Sequence, residues 1–237
     1  MALRAVLFDL DGTLVDSERQ YGEAMALALG RDAGIEVDAD DRAYIIGRSW
    51  VAIHDHLRRR YPALAWERDE LIARTAAESR QLFAIHGVNV MPGARAAIAR
   101  FAEGRGARRF ALGLVTGSSR AEAGHVLALL AIADAFEVTL CAEDVARSKP
   151  APDGYLAACA RLGVAPTEAL VIEDSAAGCA AGRAAGCAVI AVRAGNFAGQ
   201  DQSCAHRVVD TLDEVTIDLA VAVAEATARG YGHASIR

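Results

Sequence analysis

The sequence predicts an α/β fold in which a parallel sheet is covered by helices and interrupted by an inserted all-helical cap domain. From residue 93 onward, short apolar runs alternate with alanine-rich helical stretches, which is the pattern of a parallel sheet. A block without strand pattern, residues 17–88, separates the first apolar run from the others. At 237 residues, the chain is long enough for one large domain that carries such an insertion.

Each apolar run predicts one strand of the sheet, and the stretches between them predict helices. The strands are expected at 5–8, 110–115, 137–140, 170–172 and 189–192. The helices after the insertion are expected at 93–104, 119–131, 152–162, 175–185 and 211–227. Ser119 and Glu122 have the spacing of a capping box, and Pro152 suits the first turn of a helix.

The inserted block reads as helical throughout. Helical segments are expected near 17–30, 41–46, 49–60 and 67–86. In the last segment, apolar or small residues recur at helical spacing and form one face, namely Ile72, Ala76, Ser79 and Phe83. We therefore expect a core domain made of residues 1–16 and 89–237, and a helical cap made of residues 17–88.

Composition excludes several classes of function. A net charge of -6 and a pI near 5.5 argue against nucleic acid or an anionic membrane as the main partner. No apolar run approaches the roughly 20 residues that span a bilayer, and the N-terminus lacks the apolar core of a secretory signal. The 5 cysteines form no C-x-x-C pair, which disfavours disulfides and zinc. We expect a cytoplasmic protein, monomeric or weakly dimeric, with a small-molecule substrate.

Two carboxylates, Asp9 and Asp11, stand where the first apolar run ends. Alternate side chains of an extended segment share a face, so both can reach the same space, and Gly12 permits a sharp bend. Two close carboxylates repel each other unless a cation lies between them or one holds a proton. A bound metal combined with an acid/base role meets both conditions. The alternative is a solvated turn after an edge strand.

Three further polar sites also lie at or near the ends of apolar runs. Thr116-Gly117-Ser118-Ser119 follows the second run, Glu173-Asp174 follows the fourth, and a single lysine, Lys149, lies between them. In open α/β sheets, ligands bind beyond the carboxyl ends of the strands. Taken alone, each residue also has a structural explanation, such as a helix cap or a surface lysine. Because such polar residues recur at the ends of successive apolar runs, one shared site is favoured.

The residue types suggest phosphoryl transfer. Asp9 can attack phosphorus and form an aspartyl phosphate, and Asp11 can protonate the leaving oxygen and later take a proton from water. The phosphoryl oxygens would be neutralised by four donors, namely Thr116, Lys149 and the backbone amides of Gly117 and Ser118. Glu173 and Asp174 offer hard oxygen ligands, which together with Asp9 suit Mg²⁺.

As a set, these residues resemble the motifs of the haloacid dehalogenase superfamily of phosphatases and phosphotransferases, over essentially the whole chain. Asp9-Leu10-Asp11-Gly12-Thr13 resembles the first motif, in which the first Asp is the nucleophile and the second is the acid/base and a backbone-carbonyl metal ligand. The second to fourth motifs are resembled by Thr116, by Lys149 with Pro150, and by Glu173-Asp174. The resemblance implies a Rossmann-like core, a helical cap and Mg²⁺ held by Asp9, Asp11, Glu173 and Asp174.

Within the superfamily, the small helical cap is similar to that of the subgroup containing β-phosphoglucomutase and sugar-phosphate phosphatases. Ile46-Gly47-Arg48-Ser49 resembles the substrate-facing loop of that cap. The cap would close over the substrate and select the leaving group. Its expected substrate contacts are Tyr21, Arg48, Ser49 and Trp50.

Two departures narrow the expected reaction. Tyr21 and Trp50 stand where a mutase of the β-phosphoglucomutase kind has a histidine and an arginine, and true dehalogenases lack the residue equivalent to Asp11. We expect a Mg²⁺-dependent phosphatase that hydrolyses a small, sugar-like phosphate monoester through an aspartyl phosphate. The alternatives are a phosphosugar mutase and a non-catalytic phosphate-binding regulatory protein.

Overall fold

A computed structural model describes residues 2–46, 48, 50–104 and 109–230. The chain divides into two compact units. The first unit comprises Met1–Val15 and Val90–Arg237, and the second comprises Asp16–Asn89. Val15 and Val90, which flank the insertion, pair with each other in an antiparallel bridge. The second unit is therefore inserted at a point where the two chain ends of the first unit lie side by side.

The secondary structure of the described residues consists of six parallel strands, nine α-helices and a few short turns of 3₁₀ or π helix. The strands are β1 (Ala5–Phe8), β2 (Ala111–Val115), β3 (Val138–Leu140), β4 (Ala169–Glu173), β5 (Ala188–Val192) and β6 (Arg207–Val209). The helices are α1 (Ser17–Ala28), α2 (Ala39–Ile45), α3 (Trp50–Arg60), α4 (Arg68–His86), α5 (Ala94–Glu103), α6 (Arg120–Leu130), α7 (Asp153–Leu162), α8 (Ala176–Ala185) and α9 (Ile217–Ala228).

The sheet of the first unit has the strand order β3-β2-β1-β4-β5-β6, with every neighbouring pair parallel. This is the order of a Rossmann-like, doubly wound sheet, so the predicted fold class is confirmed. The chain leaves β1 toward β2 and β3 and later returns to β4 on the other side of β1. That reversal is a switch point, where a crevice forms beyond the carboxyl ends of β1 and β4.

The central strands are apolar because helices cover both faces of a parallel sheet. All residues of β1, β4 and β5 are buried, and Ala5 pairs with Ala111 on one side and with Ala169 on the other. The prediction missed β6, whose three residues are too few to give a pattern.

Helix ends in the first unit follow their capping residues. Ser119 and Glu122 form the predicted capping box at the start of α6. The single helix predicted at 211–227 is wrong at its start. A 3₁₀ turn, Leu212–Glu214, comes first, and α9 begins only after Thr216, whose hydroxyl accepts a hydrogen bond from the Leu219 amide at 3.1 Å.

The second unit is helical in all its described secondary structure, α1 to α4, and has its own apolar core. Large buried side chains of that core include Met25, Leu29, Leu57, Leu64 and Leu71. Helices α1 and α4 pack against each other. Among the described residues, no helix is long and apolar enough to cross a membrane.

Candidate active site

Three buried carboxylates meet at the switch point of the sheet. Asp9 directly follows β1, and its amide donates to the Ile172 carbonyl at 3.1 Å, which extends the ladder by one residue. Glu173 ends β4 and Asp174 follows it. One carboxylate oxygen from each of Asp9, Glu173 and Asp174 lies within 4.8 Å of the others. The parallel pairing of β1 and β4 thus brings together residues more than 160 positions apart in the chain.

Lys149 supplies the positive charge of this cluster and is the only lysine in the chain. Its Nζ atom donates to Asp9 Oδ1, to Glu173 Oε1 at 2.6 Å and to the Val115 carbonyl at 3.0 Å. Burial opposes the charge, but the Asp9 and Glu173 carboxylates outweigh it and hold the pKa of Lys149 well above its usual value. Lys149 is therefore an ammonium group beside Asp9 at neutral pH.

Glu173 is fully buried and both of its oxygens already accept hydrogen bonds. Oε1 accepts from Lys149 and from the Tyr155 hydroxyl at 2.9 Å. Oε2 accepts from the amides of Asp174 and Ser175, each at 3.1 Å, and from the Ser175 hydroxyl at 3.0 Å. Burial and the nearby Glu173 carboxylate raise the pKa of Tyr155, which keeps its proton as a donor. Glu173 thus anchors Lys149 to the end of β4.

Asp11 lies with the loop that follows β2. The hydroxyls of Thr116 and Ser118 donate to Asp11 Oδ2 at 3.0 and 2.6 Å. The Ser118 amide, which is predicted to donate to phosphate, donates to Thr116 Oγ1 at 2.9 Å in this structure. Gly117 is exposed between these two residues. The predicted phosphate-binding loop and the second aspartate of the first motif therefore form one polar surface.

The turn after Asp11 fits closely against Asp174. Gly12 has φ of 84°, and a Cβ atom there would lie 2.2 Å from Asp174 Oδ2. Thr13, fully buried, donates through its hydroxyl to Asp174 Oδ1 at 3.0 Å. A glycine is required at position 12 both by the left-handed backbone and by the approach of the carboxylate.

The donor set fits a divalent cation. Burial raises the pKa of Asp9 well above its usual value; Lys149 lowers it, and the carboxylates of Glu173, Asp174 and Asp11 raise it further. One ammonium is thus too little positive charge for the carboxylates gathered here. Hard oxygen ligands with excess negative charge suit Mg²⁺, and Asp9, Glu173 and Asp174 together could hold such an ion.

The predicted cap residues belong to the second unit. Tyr21, on α1, makes an edge contact with Phe83 at 6.1 Å between ring centroids. The Arg48 guanidinium lies 4.1 Å from the centroid of the Tyr44 ring. Trp50 begins α3 and packs against the core of its own unit. Ser49, the fourth predicted contact, lies outside the described residues, as does Gly47.

Sequence reasoning missed three residues that support the site: Thr13, Tyr155 and Ser175. Thr13 stands inside the first motif, so its position was a signal. Ser175 was considered only as a helix cap, which it also is, since its hydroxyl accepts from the Gly178 amide at 3.0 Å. Tyr155 lies on α7 among apolar neighbours and gives no pattern of its own.

Together, the fold and the site define an α/β enzyme with a buried acidic centre at the switch point of its sheet. The chain belongs to the haloacid dehalogenase-like hydrolase family, whose pattern matches residues 3–186. The resemblance found in the four motifs is thereby confirmed.

Several relatives of the chain are named phosphatases. It is 35% identical over 184 residues to validoxylamine A 7'-phosphate phosphatase of Streptomyces hygroscopicus subsp. limoneus. That match covers 77% of this chain and 82% of the relative. The chain is 35% identical over 207 residues to hexitol phosphatase A of Escherichia coli K12, covering 82% and 85%. A β-phosphoglucomutase candidate from Thermotoga maritima superposes with a TM-score of 0.73 at 27% identity, over 91% of this chain and 98% of that one. The predicted enzyme class, a phosphoric monoester hydrolase, is confirmed.

Proposed function

We propose that the protein is a Mg²⁺-dependent phosphatase that hydrolyses a small, sugar-like phosphate monoester through an aspartyl phosphate. The observation that carries this proposal is the position of Asp9. Its carboxylate lies at the switch point of the sheet, bonded to the chain's only lysine and next to Asp174. A buried carboxylate in a ligand-binding crevice, with a cation beside it, is placed to act as a nucleophile.

In the first step, an Asp9 oxygen forms a bond to phosphorus while the bond from phosphorus to the ester oxygen breaks. Asp11 gives a proton to the departing alcohol oxygen. In the second step, water attacks the aspartyl phosphate, Asp11 takes the water proton, and the Asp9–phosphorus bond breaks to release inorganic phosphate. The hydroxyls of Thr116 and Ser118 donate to the Asp11 carboxylate and would hold it in place for both transfers.

Charge on the transferring phosphoryl group would be met first by Lys149, which remains protonated because two carboxylates face it, and by the Gly117 amide. The Thr116 hydroxyl donates to Asp11 here and would turn to the phosphoryl group when the ester binds. Asp9 and Asp174 would hold Mg²⁺, with the Asp11 carbonyl as a third protein ligand. When bound, the ion neutralises phosphoryl oxygens and orients the ester. Glu173, expected as a ligand from sequence, is proposed to act as the anchor of Lys149 because its oxygens already accept hydrogen bonds.

The names of the relatives support a polyhydroxylated substrate. One relative is a hexitol phosphatase and another acts on validoxylamine A 7'-phosphate. We propose that Tyr21, Arg48, Ser49 and Trp50 of the second unit contact the leaving group. The five cysteines are all free, which suits a reducing compartment, so we place the enzyme in the cytoplasm.

The experiment is a phosphate-release screen of purified protein with and without Mg²⁺. Its substrates would include hexitol phosphates, sugar 1-phosphates, phosphoglycolate as a small non-sugar, and p-nitrophenyl phosphate. We expect Mg²⁺-dependent release that is highest with a polyol or sugar phosphate. Asp9→Asn should abolish release, and Asp11→Asn should reduce kcat by about 10²–10⁴-fold. The exposed Asp134→Asn serves as the matched control and should retain full activity.

Full activity of Asp9→Asn would refute the assigned nucleophile. Mutase activity is the second candidate, favoured by the similarity to the Thermotoga maritima structure. Product analysis with β-glucose 1-phosphate separates the two, since a mutase yields glucose 6-phosphate while a phosphatase yields free phosphate and glucose. Absence of turnover on every ester, with retained phosphate binding, would instead indicate a regulatory protein.

A further inference from the structure

Gln202 is a buried polar side chain that the proposed reaction does not use. It lies in the segment between β5 and β6 and is only 6% exposed. Its Nε2 atom donates to the Asp174 carbonyl at 2.5 Å and to the Val192 carbonyl at 3.0 Å. Both N–H groups of the amide are thus committed to the backbone, one of them at the residue that offers a metal ligand.

The rest of this segment also contacts the site. The Gln200 side chain accepts a hydrogen bond from the Ala176 amide at 3.1 Å, at the start of α8. Asn196 holds Gln200 in turn through two hydrogen bonds of 2.7 Å. A Cβ atom on Gly195 would lie 1.6 Å from the Gly12 carbonyl oxygen, so the segment also touches the loop of the first motif. Residues 195–202 therefore contact both loops that carry the carboxylates.

Asp174 is consequently held by hydrogen bonds to both its side chain and its backbone. Thr13 donates to its carboxylate, and Gln202 donates to its carbonyl oxygen. Asp174 follows the last residue of β4, and α8 begins only at Ala176, so its carbonyl lies outside both strand and helix. Removing a group that orients a metal ligand from outside typically lowers metal affinity or activity by about 10–100-fold.

We propose that Gln202 is a positioning residue that sets the Mg²⁺ affinity of the site by fixing the backbone at Asp174. This inference rests on the proposed role of Asp174 as a metal ligand, but it does not depend on which ester is hydrolysed. Gln202 touches neither the ester nor the reacting atoms in this scheme. Its loss should therefore weaken Mg²⁺ binding more than it lowers kcat at saturating Mg²⁺.

The test replaces Gln202 with Met, which keeps the length of the side chain but donates no hydrogen bond. One readout is the rise in Tm on addition of Mg²⁺, which needs no substrate. The other is the Mg²⁺ concentration that gives half-maximal hydrolysis of p-nitrophenyl phosphate. Q202M should weaken Mg²⁺ binding by about 10–100-fold in both readouts, with kcat at saturating Mg²⁺ close to that of the wild type. Gln81→Met makes the same change at an exposed position of α4 and should alter neither.

An unchanged Mg²⁺ dependence of folded Q202M would overturn the inference while leaving the phosphatase proposal intact. A second outcome is that Mg²⁺ raises the Tm of the wild type but not that of Q202M, while the wild type hydrolyses no ester. In that case the inference stands and the proposed reaction fails. Should Q202M not fold, Gln202→Asn decides with the same readouts, because its amide is one methylene too short to reach both carbonyls. Wild-type Mg²⁺ affinity in that variant would likewise overturn the inference.

Discussion

The Nζ atom of Lys149 lies 2.6 Å from Oε1 of Glu173, a carboxylate with no exposed surface. Lys149 also contacts Asp9, so the ammonium bridges the proposed nucleophile and a residue that never reaches solvent. Glu173 in turn is held by Tyr155 and by the start of α8. The position of Lys149 is therefore fixed by Glu173, the buried residue that ends β4.

Replacing Glu173 with Gln should lower the pKa of Lys149, because one of the two carboxylates that raise it is lost. Activity that needs the ammonium form should then decline at lower pH than in the wild type, so the alkaline limb of the pH–rate profile shifts downward. We also expect kcat/KM to fall by about 10–100-fold, the range typical of removing a group that orients a metal ligand. Glu103→Gln, at the exposed end of α5, is the control. An alkaline limb that stays in place would contradict this role for Glu173.

Gly178, the third residue of α8, should not tolerate a side chain. A Cβ atom there would lie 1.7 Å from Glu173 Oε1, so Gly178→Ala must displace Glu173 or the helix. We expect a loss of about 1–3 kcal/mol in the free energy of unfolding, measured by urea titration. Gly124→Ala is matched, because Gly124 is also within a helix and its Cβ would meet nothing within 4 Å. That control should gain about 0.5–1 kcal/mol, and equal effects of the two changes would contradict the packing argument.

Asp41 should stabilise the second unit in a pH-dependent manner. It is buried and accepts hydrogen bonds from Tyr61 and from His56 at 2.7 Å. Burial alone would raise the pKa of Asp41, but these hydrogen bonds outweigh it, and the pKa lies below its usual value of 3.8. A lowered pKa means that the stabilising contribution is complete above 3.8 and is lost as the pH falls through the lowered value. Asp41→Asn should therefore cost about 1–3 kcal/mol at neutral pH and less in acid.

The measurement can be confined to the second unit, because both tryptophans of the chain, Trp50 and Trp66, lie in it. Urea unfolding followed by tryptophan fluorescence at several pH values would give the difference between Asp41→Asn and wild type. The exposed Asp55→Asn should differ little from the wild type at any pH. A difference for Asp41→Asn that did not shrink below pH 3.8 would refute the assigned ionisation.

Arg48 should contribute to substrate affinity, and Tyr44 should act through it. The Tyr44 ring stacks on His56 with 3.9 Å between centroids and carries the Arg48 guanidinium on its surface. We expect Arg48→Ala to raise KM for the preferred ester with little change in kcat, since it removes binding common to ground and transition states. Tyr44→Leu should raise KM less.

A double-mutant cycle checks the coupling between the two residues. If Tyr44 acts by holding Arg48, Tyr44→Leu should have no further effect on KM once Arg48 is alanine. Arg58→Ala, on the exposed face of α3, should leave KM unchanged. Independent, additive effects of the Tyr44 and Arg48 changes would show that the stack does not position the guanidinium.

The sheet and the four motif positions could be predicted because local pattern and topology reinforce each other. Apolar runs in a parallel sheet must end at one edge, and Asp9, Thr116 and Asp174 each follow such a run. The inserted helices were equally visible, because no strand pattern interrupts them. β6 was not, since its three residues become a strand only by pairing with β5.

The supporting residues of the site were harder to predict, because their roles depend on contacts distant in sequence. Gln202 lies 28 positions from Asp174, in an irregular segment, and its hydrogen bonds reach backbone atoms rather than any recognisable motif. Tyr155 looks like one more core residue of α7 until the fold places Glu173 against its hydroxyl. The engagement of both Glu173 oxygens is likewise visible only in three dimensions.

With one lysine in the entire polypeptide, amine-directed reagents acquire unusual selectivity in this protein. Apart from the α-amino group, Lys149 is the one amine that can be acylated, and its side chain is protonated and only 17% exposed in the native state. The rate of acylation at Lys149, followed by mass spectrometry, would report how often the crevice around it opens, and the measurement needs no engineered probe. A bound metal ion or phosphate analogue should lower this rate of acylation.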